Sequence, residues 1–249
     1  MSRVVGVIPA RLDSTRLPRK ALRPILGQPM IVWVYRRARR SPLLNHLLAA
    51  TDSEEIAACC QQFDIPVQMT SSKHRSGTDR LIEVAQHEPA DIYVNIQGDE
   101  PMVNENHIEL LLTPFHKDYS TAVTTLKVAI APAEAQNPHT VKVVTDAAGR
   151  ALYFSRCPIP YDRDGSAQAS YFKHLGFYAY RPAALEAFSR LRPGPLETSE
   201  KLEQLRFLEN GIAITVAQTC EDTIGVDTAE DLQKVEELFL RHHEALPEP

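Results

Sequence analysis

The sequence predicts an α/β fold built around a mostly parallel sheet. Short β-rich apolar runs alternate along the chain with longer amphipathic segments, and each run is bounded by turn-forming residues. Strands that alternate with helices in this way form βαβ units, whose strands run parallel. The strand and helix pairs are residues 4–8 with 30–39, 47–50 with 54–63, and 92–96 with 104–115.

The first and last predicted helices each carry apolar residues three or four positions apart, which places each set on one helix face. Thr228 and Asp231, at the start of the last helix, have the spacing of a capping box. We assign these apolar residues to the core and not to a binding site. They are Met30, Val34 and Ala38 in the first helix and Leu232, Val235 and Phe239 in the last.

The middle of the chain has a different pattern, with several predicted strands and few helices between them. This pattern predicts a smaller mixed-sheet region. Residues 161–170 are polar and rich in turn formers, which predicts a surface loop instead of a domain linker. We therefore expect one domain over residues 1–249. The strands of the middle region are residues 121–128, 141–145, 151–155 and 174–180.

Composition and charge narrow the classes of function. Of 249 residues, 43% are hydrophobic and 24% are charged, which is enough for a buried core. The formal net charge of -5 predicts no general attraction to nucleic acid or anionic membranes. No apolar run approaches the roughly 18 residues of a membrane span, so we expect a cytoplasmic protein. The spacing of Cys59, Cys60, Cys157 and Cys220 suits neither a zinc site nor a disulfide framework and predicts buried thiols.

A basic loop follows the first strand, where ligands bind in open α/β sheets. The glycines nowhere form a dinucleotide fingerprint or a P-loop, which argues against dehydrogenases and P-loop kinases. Pro9 and Pro18 stiffen the loop, and its cations suit a triphosphate. The alternative is a solvated basic turn. The loop cations are Arg11, Arg16, Arg19 and Lys20, and Ser14 and Thr15 add hydroxyl donors.

Two aspartates are candidate metal ligands. Asp99 follows the strand 92–96 beside Gly98, and Asp227 precedes the predicted cap Thr228. Magnesium is commonly shared between one or two protein carboxylates and substrate phosphates, so two facing aspartates would suit it. The alternatives are a turn residue for Asp99 and part of a helix cap for Asp227.

Several motifs, in the same order, resemble those of the 3-deoxy-manno-octulosonate cytidylyltransferase (CMP-Kdo synthetase) family. They are IPARLDSTRLPRKAL, HRSGTDR from His74, VNIQGDEPM, ALYFSR, KHLGFYAYR, SEKLEQLR and GVDTAEDL. The resemblance implies a Rossmann-like nucleotide-diphospho-sugar transferase fold and transfer of CMP from CTP to Kdo for lipopolysaccharide biosynthesis. It also implies Mg²⁺ as cofactor and a homodimer. Residues 130–156 could take part in the dimer, although an apolar strand there can equally well be intramolecular core.

The resemblance also implies roles for individual residues. Lys20, Arg11, Asp99 and Asp227 would be catalytic, the two aspartates as magnesium ligands, and no side chain stands out as a general base. The nucleotide would be bound by Arg11, Ser14, Arg16, Lys20, Ser76, Gly77, Thr78 and Gln97. The sugar would be bound by Arg16, Gln97, Arg156, His174, Tyr178, Glu203 and Gln204, within a sugar-binding and dimerisation subregion at about residues 130–210.

Some alternatives stay open at this point. Arg156 is the preferred contact for the sugar carboxylate, whereas His174 and Tyr178 could be wall residues and Glu203 and Gln204 an exposed helix face. Arg19 stands where many relatives have glycine, and the stretch 164–173 looks shorter than in several relatives. The rival functions are a cytidylyltransferase for another acidic sugar, such as an 8-amino Kdo analogue or a sialic acid, and a catalytically silent nucleotide-binding homologue.

Overall fold

The computed structural model describes residues 2–12, 16–74, 76–165 and 169–242. The chain divides into two compact units. The first comprises Met1–Glu109 and Thr223–Pro249, and the second comprises Leu110–Asp222. The single domain over residues 1–249 stays a prediction.

The first unit contains a parallel four-stranded sheet in the order β6-β1-β4-β5. Every residue of β1 is buried, as expected of a parallel strand with both faces covered. The predicted strand positions are confirmed to within two residues, whereas β5 was not predicted. The strands are β1 (Val4–Ala10), β4 (His46–Thr51), β5 (Val67–Met69) and β6 (Ile92–Asn95).

The helices of the first unit place their apolar faces in the core. The predicted face of α1 is confirmed, since Met30, Val34 and Ala38 are fully buried. In α9, Val235 and Phe239 are buried against Trp33 of α1, and the capping box predicted at its start is present. The helices are α1 (Met30–Arg39), α2 (Glu54–Gln62), α3 (Gly77–His87), α4 (Glu105–Lys117), which continues into the second unit, and α9 (Ala229–Arg241).

A short hairpin anchors the end of the basic loop. After a 3₁₀ turn (Lys20–Leu22), β2 (Pro24–Ile25) pairs with β3 (Gln28–Pro29). The two turn residues between them, Leu26 and Gly27, have positive φ angles, as a tight hairpin turn requires. The indole N–H of Trp33 donates to the carbonyl of Ile25 at 2.8 Å. The hairpin, which follows the Lys20 turn in the chain, is therefore fixed to α1.

The second unit contains a mixed sheet, which confirms the predicted mixed-sheet region. β7 pairs in parallel with β11 and antiparallel with β10, and β8 pairs antiparallel with β9 and β10. The strands are β7 (Val123–Ile130), β8 (Lys142–Thr145), β9 (Ala151–Ser155), β10 (Tyr171–Tyr180) and β11 (Ile214–Thr219). The helices are α5 (Pro132–Ala135), α6 (Pro182–Arg190), α7 (Pro195–Glu200) and α8 (Leu205–Glu209).

The prediction that all four cysteines are buried is wrong for two of them. Cys60 on α2 is buried and Cys59 is half-buried, whereas Cys157 and Cys220 are exposed. The two exposed residues lie in bends that follow β9 and β11, where the chain has left the sheet. All four thiols are free, and burial raises the pKa of Cys60 to about 12.

Within the described residues, no helix has both the length and the apolar character needed to cross a membrane.

Candidate active site

A cavity of about 580 Å³ lies in the first unit, where β1 and β6 end side by side. This is the position at which open α/β sheets bind ligands. Thr78 is buried in the first turn of α3 and is not part of the wall, and Ser14 lies outside the described residues. The predicted site residues in the wall are Arg11, Arg16, Lys20, Ser76, Gly77, Gln97, Asp99 and Asp227.

Two glycines allow the loops of the cavity to approach β1 closely. A Cβ on Gly98 would lie 2.9 Å from the carbonyl oxygen of Pro9, and one on Gly77 would lie 3.0 Å from the Pro9 ring. Both distances are tighter than ordinary contacts, and in the case of Gly98 the obstacle is backbone, which cannot swing aside. The absence of side chains at these positions thus lets the segments after β6 and at the start of α3 share one cavity with β1.

One ammonium group joins the two predicted metal ligands. Lys20 Nζ donates to Asp99 Oδ2 at 2.5 Å and to Asp227 Oδ1 at 2.9 Å, so these oxygens are at most about 5.4 Å apart, the two hydrogen bonds end to end. The amide of Val226 also donates to the Asp99 carbonyl at 2.8 Å. Burial lowers the pKa of Lys20, but the charges and hydrogen bonds of both carboxylates outweigh it, so the pKa lies above its usual value.

The other cations of the basic loop divide into two groups. Arg16 pairs with Asp227 at 2.9 Å, and Arg11 contributes to the cavity wall. Arg19 instead forms an ion pair with Glu55 of α2 and is not part of the wall. Its φ of 59° lies in the left-handed region, where glycine is the least strained residue, which accounts for the glycine expected there in relatives.

The carboxylates of the cavity fit a shared divalent cation. Asp99 and Asp227 already converge on one positive charge, and both side chains are partly exposed to the cavity, at 31% and 43%. Over the part of the chain that is described, no three His, Cys, Asp or Glu side chains cluster as a metal site. Two carboxylates with room for water and phosphate oxygens form the kind of incomplete ligand set that Mg²⁺ shares with a nucleotide.

The sequence reasoning missed two wall residues, His74 and Arg80. The His74 ring Nε2 forms a short hydrogen bond with a carboxylate oxygen of Glu83. Arg80 is buried and pairs with Asp52 at 2.9 Å. His74 and Arg80 lie within the HRSGTDR motif. Asp52, the partner of Arg80, is distant in sequence, and Glu83 faces His74 only once α3 has formed. Recognising the helical start at Ser76 would have placed Arg80 and Glu83 on one side of α3.

The predicted sugar residues of the second unit are partly buried. His174 Nε2 lies 3.1 Å from Thr125 Oγ1, and its ring packs between Phe154 and Tyr178. Burial, and next the charge of Lys173, lower the pKa of His174 to about 3. The Tyr178 hydroxyl is buried and has no hydrogen-bond partner among the described residues. A buried orphan hydroxyl is a place where a ligand hydroxyl or a water would be accommodated.

Arg156 is held by backbone carbonyls, and Gln204 is buried. The Arg156 guanidinium donates to the backbone carbonyls of Glu200, at 2.7 Å, and Pro138, at 3.1 Å. Gln204 precedes α8 and is only 9% exposed, so the alternative of an exposed helix face is wrong for this residue. Their roles towards a sugar stay predictions.

Comparison with known proteins agrees with this geometry. The Cytidylyltransferase family matches residues 5–216 of the chain. A 3-deoxy-manno-octulosonate cytidylyltransferase of Acidobacterium capsulatum is 57% identical over 95% of this chain and 96% of its own length, and one of Koribacter versatilis is 52% identical over 95% and 90%.

A solved structure of CMP:2-keto-3-deoxy-manno-octonic acid synthetase complexed with CTP superposes with a TM-score of 0.93. It is 45% identical in sequence, and the match covers 97% of this chain and all of the other. The nucleotide-sugar transferase architecture predicted from the sequence is thereby confirmed. The chain belongs to the 3-deoxy-manno-octulosonate cytidylyltransferase (CMP-Kdo synthetase) family.

Proposed function

We propose that this chain transfers CMP from CTP to Kdo, giving CMP-Kdo and pyrophosphate for lipopolysaccharide biosynthesis. The observation that carries the proposal is the convergence of Lys20, Asp99 and Asp227 in one cavity, in a chain whose relatives bear this activity in their names. A silent homologue would have no need to keep both carboxylates facing one cation. The identities of the sugar and of the base in this proposal rest on the names of the relatives.

The reaction joins two anions, so positive charge must be concentrated around the triphosphate. The Kdo 2-hydroxyl oxygen forms a bond to the α-phosphorus of CTP, the bond to the bridging oxygen breaks, and pyrophosphate leaves. Lys20 and Arg11 stabilise the charge on the α-phosphate and the leaving pyrophosphate, while Arg16 contacts both the nucleotide and the sugar. Positioning of the bound reactants supplies much of the remaining acceleration.

Asp99 and Asp227 would hold Mg²⁺ at this site. When bound, the ion supplies Lewis-acid stabilisation of phosphate charge and lowers the pKa of a coordinated hydroxyl. No histidine of this chain is named as a general base. Ser76, Gly77 and Gln97 are the proposed cytidine-side contacts, and Gln97 also serves the sugar.

The second unit supplies the remaining proposed sugar contacts. Arg156 would bind the Kdo carboxylate with the part of its guanidinium that the backbone carbonyls leave unused. Tyr178, whose hydroxyl is buried and unpaired, together with His174, Glu203 and Gln204 would bind the sugar hydroxyls. We also propose a cytoplasmic homodimer. Leu152 on β9 supports the dimer, because this apolar side chain is 62% exposed within the predicted contact segment 130–156.

The test is pyrophosphate release by the purified protein with Mg²⁺, Kdo and each of the four ribonucleoside triphosphates. We expect turnover with CTP, and a product with the mass of CMP-Kdo. An 8-amino Kdo analogue and a sialic acid, assayed in parallel with CTP, identify the sugar. Faster turnover of either than of Kdo would replace Kdo as the substrate, and no release with any sugar would refute the activity.

The variant Asp99→Asn tests the catalytic assignment. It removes a charged ligand from a side chain that is 31% exposed, so we expect loss of more than about 100-fold in pyrophosphate release without loss of the fold. Circular dichroism and the unfolding midpoint check the fold. Turnover close to that of the unsubstituted protein would contradict the assignment.

A further inference from the structure

Lys142, the first residue of β8, has a side chain that is completely buried. Its Nζ donates to three backbone carbonyls, those of Thr140 at 2.6 Å, Arg156 at 2.6 Å and Asn137 at 2.9 Å. An ammonium group has three N–H donors, so these bonds use all of them. Burial lowers the pKa of Lys142 below its ordinary value, so the fold keeps this charge against a desolvation cost. A side chain that only filled the core would not need the charge.

The backbone of Arg156 is held by two side chains of opposite charge. Arg156 follows Ser155, the last residue of β9 that pairs with β8. Its carbonyl accepts from Lys142, and its amide donates to Glu200 Oε2 at 2.9 Å. Oε1 of Glu200 accepts from Ser155 Oγ at 2.6 Å. Lys142 and Glu200 therefore supply the hydrogen bonds of the Arg156 backbone beyond the paired part of the strand.

Lys142 also fixes the segment that orients the Arg156 guanidinium. The Pro138 carbonyl accepts from Nη1 at 3.1 Å, and the Glu200 carbonyl accepts from Nε at 2.7 Å. Two of the three carbonyls bound by Lys142 lie on either side of Pro138 in the chain. The ammonium thus restrains both the backbone of Arg156 and one of the carbonyls that direct its side chain. Nη2 takes part in neither of these guanidinium bonds.

We propose that Lys142 is a positioning residue that holds Arg156 ready for the carboxylate of the acidic sugar. A guanidinium that is already oriented loses less freedom when the sugar binds, so the affinity for the sugar is higher. The positive charge of Lys142 adds to that of Arg156 in attracting an anion. Lys142 is fully buried and acts through Arg156. This inference rests on the proposed function, in which Arg156 contacts the Kdo carboxylate.

The variant Lys142→Met tests the proposal in the pyrophosphate-release assay, because methionine has a similar shape but neither donors nor charge. We expect the KM for Kdo to rise by about 10-fold or more, whereas kcat and the KM for CTP change by less than about 2-fold. Arg150→Met is the matched control, since this cation at the turn between β8 and β9 pairs with Asp146 instead. A KM for CTP that rises as much as the KM for Kdo would overturn the proposal.

A double-mutant cycle with Arg156→Gln shows whether Lys142 acts through Arg156. Once the guanidinium is absent, Lys142→Met should raise the KM for Kdo by less than about 2-fold further. The same factor in both backgrounds would mean an independent structural effect and would overturn the proposal. A KM for Kdo that Arg156→Gln leaves unchanged would also overturn it, although the proposed reaction would stand.

Hydrogen exchange of the protein without ligands separates this inference from the proposed function. We expect peptides covering residues 137–141 and 155–157 to exchange about 10-fold faster in Lys142→Met than in the unsubstituted protein or Arg150→Met. Lys142→Gln, which keeps two donors, is measured alongside and takes the place of the methionine variant if that variant does not fold. Unchanged exchange in both segments would overturn the proposal. If the unsubstituted protein releases no pyrophosphate with any sugar, the proposed function fails, and exchange still decides whether Lys142 holds Arg156.

Discussion

A lysine that bridges two carboxylates cannot at the same time bind a phosphate at full strength. Lys20 Nζ is bound by Asp99 and Asp227 at 2.5 Å and 2.9 Å, and its side chain is only 16% exposed. A divalent ion bound by the same two carboxylates would meet the ammonium with like charge. Metal binding is therefore expected to release Lys20 for the triphosphate, which reconciles its observed partners with its proposed role.

Removal of the Lys20 ammonium should raise the affinity for the metal and lower the rate of catalysis. In Lys20→Met, Asp99 and Asp227 lose the cation that competes with the metal. We expect Mn²⁺ to bind several-fold more tightly in the absence of nucleotide, measured from the electron paramagnetic resonance of free Mn²⁺. Pyrophosphate release should fall by about 100-fold or more. The control is Arg19→Met, since Arg19 belongs to the same loop but pairs with Glu55. Weaker Mn²⁺ binding in Lys20→Met would contradict the account.

His174 should make the stability of the protein depend on pH. Its pKa is lowered to about 3 in the fold, from an ordinary value of 6.5, because burial disfavours the charged ring. Below pH 6.5 the unfolded chain binds a proton that the folded chain does not. The stability that comes from keeping His174 neutral is therefore complete above pH 6.5 and is lost as the pH falls towards 3. The full effect would be about 1 kcal/mol between pH 6.5 and 5.5, and we expect somewhat less because part of the residue still reaches solvent.

Denaturant unfolding at several pH values measures this effect. His174→Gln should flatten the acid side of the stability profile, because the amide does not titrate. His139→Gln removes an exposed histidine and serves as the control. A profile that keeps its full slope in His174→Gln would show that other groups are responsible.

The caps of the helices link local sequence to the active site. Thr228 caps α9 through a reciprocal box, in which its side chain accepts from the Asp231 amide at 3.2 Å and the Asp231 carboxylate accepts from the Thr228 amide at 3.0 Å. The Asp227 amide donates to the same carboxylate at 3.2 Å. The cap that begins the helix therefore also fixes the backbone of a proposed metal ligand.

Loss of this cap should cost stability. We expect Thr228→Ala to lower the free energy of unfolding by about 1 kcal/mol, and Ser53→Ala at α2 to have a smaller effect. The reason is that, among the described residues, the Ser53 side chain accepts one capping bond, from the Ile56 amide at 3.3 Å, and has no reciprocal partner of the kind that Asp231 provides. Urea unfolding compares the two variants. An equal or larger loss in Ser53→Ala would contradict the ranking.

Elements with strong periodicity could be predicted from the sequence, and short or glycine-led elements could not. The bounds of α1 are those predicted, because its apolar face is regular and buried. The helix α3 was missed because it opens with Gly77, a poor helix former, inside a segment noted for its motif. Strands of two or three residues, such as β2 and β5, are too short to show a period.

The candidate site was predictable as a set of residues but not as a set of contacts. Basic residues after the first strand and aspartates after later ones point to one sheet edge, because parallel strands end together. Which side chains pair there depends on long-range packing. The bond from Lys20 to Asp227 joins residues 207 positions apart. The partners of Arg19 and His74, Glu55 and Glu83, likewise became apparent only from the fold.

The charge of the whole protein leads us to expect that nucleotide binding depends on the proposed metal. The formal net charge is -5, and the cavity adds two carboxylates to the cations that would attract a triphosphate. CTP carries several negative charges, so we expect Asp99 and Asp227 to repel its phosphates in the absence of a divalent ion. In the proposed complex with Mg²⁺, the same carboxylates would be ligands of the ion, and Lys20, Arg11 and Arg16 would face the phosphates.

Thermal unfolding in the presence of CTP and Mg²⁺ tests this linkage. Ligands that bind only the folded state stabilise it by about 2.7 kcal/mol at 100 times the dissociation constant. We expect CTP with Mg²⁺ to raise the unfolding midpoint by several degrees. CTP with EDTA, or Mg²⁺ alone, should have a much smaller effect. Asp227→Asn should reduce the joint effect, because it removes one of the two carboxylates proposed to hold the ion. A midpoint raised equally by CTP in EDTA would mean that the triphosphate is bound by the cations of the loop without a metal.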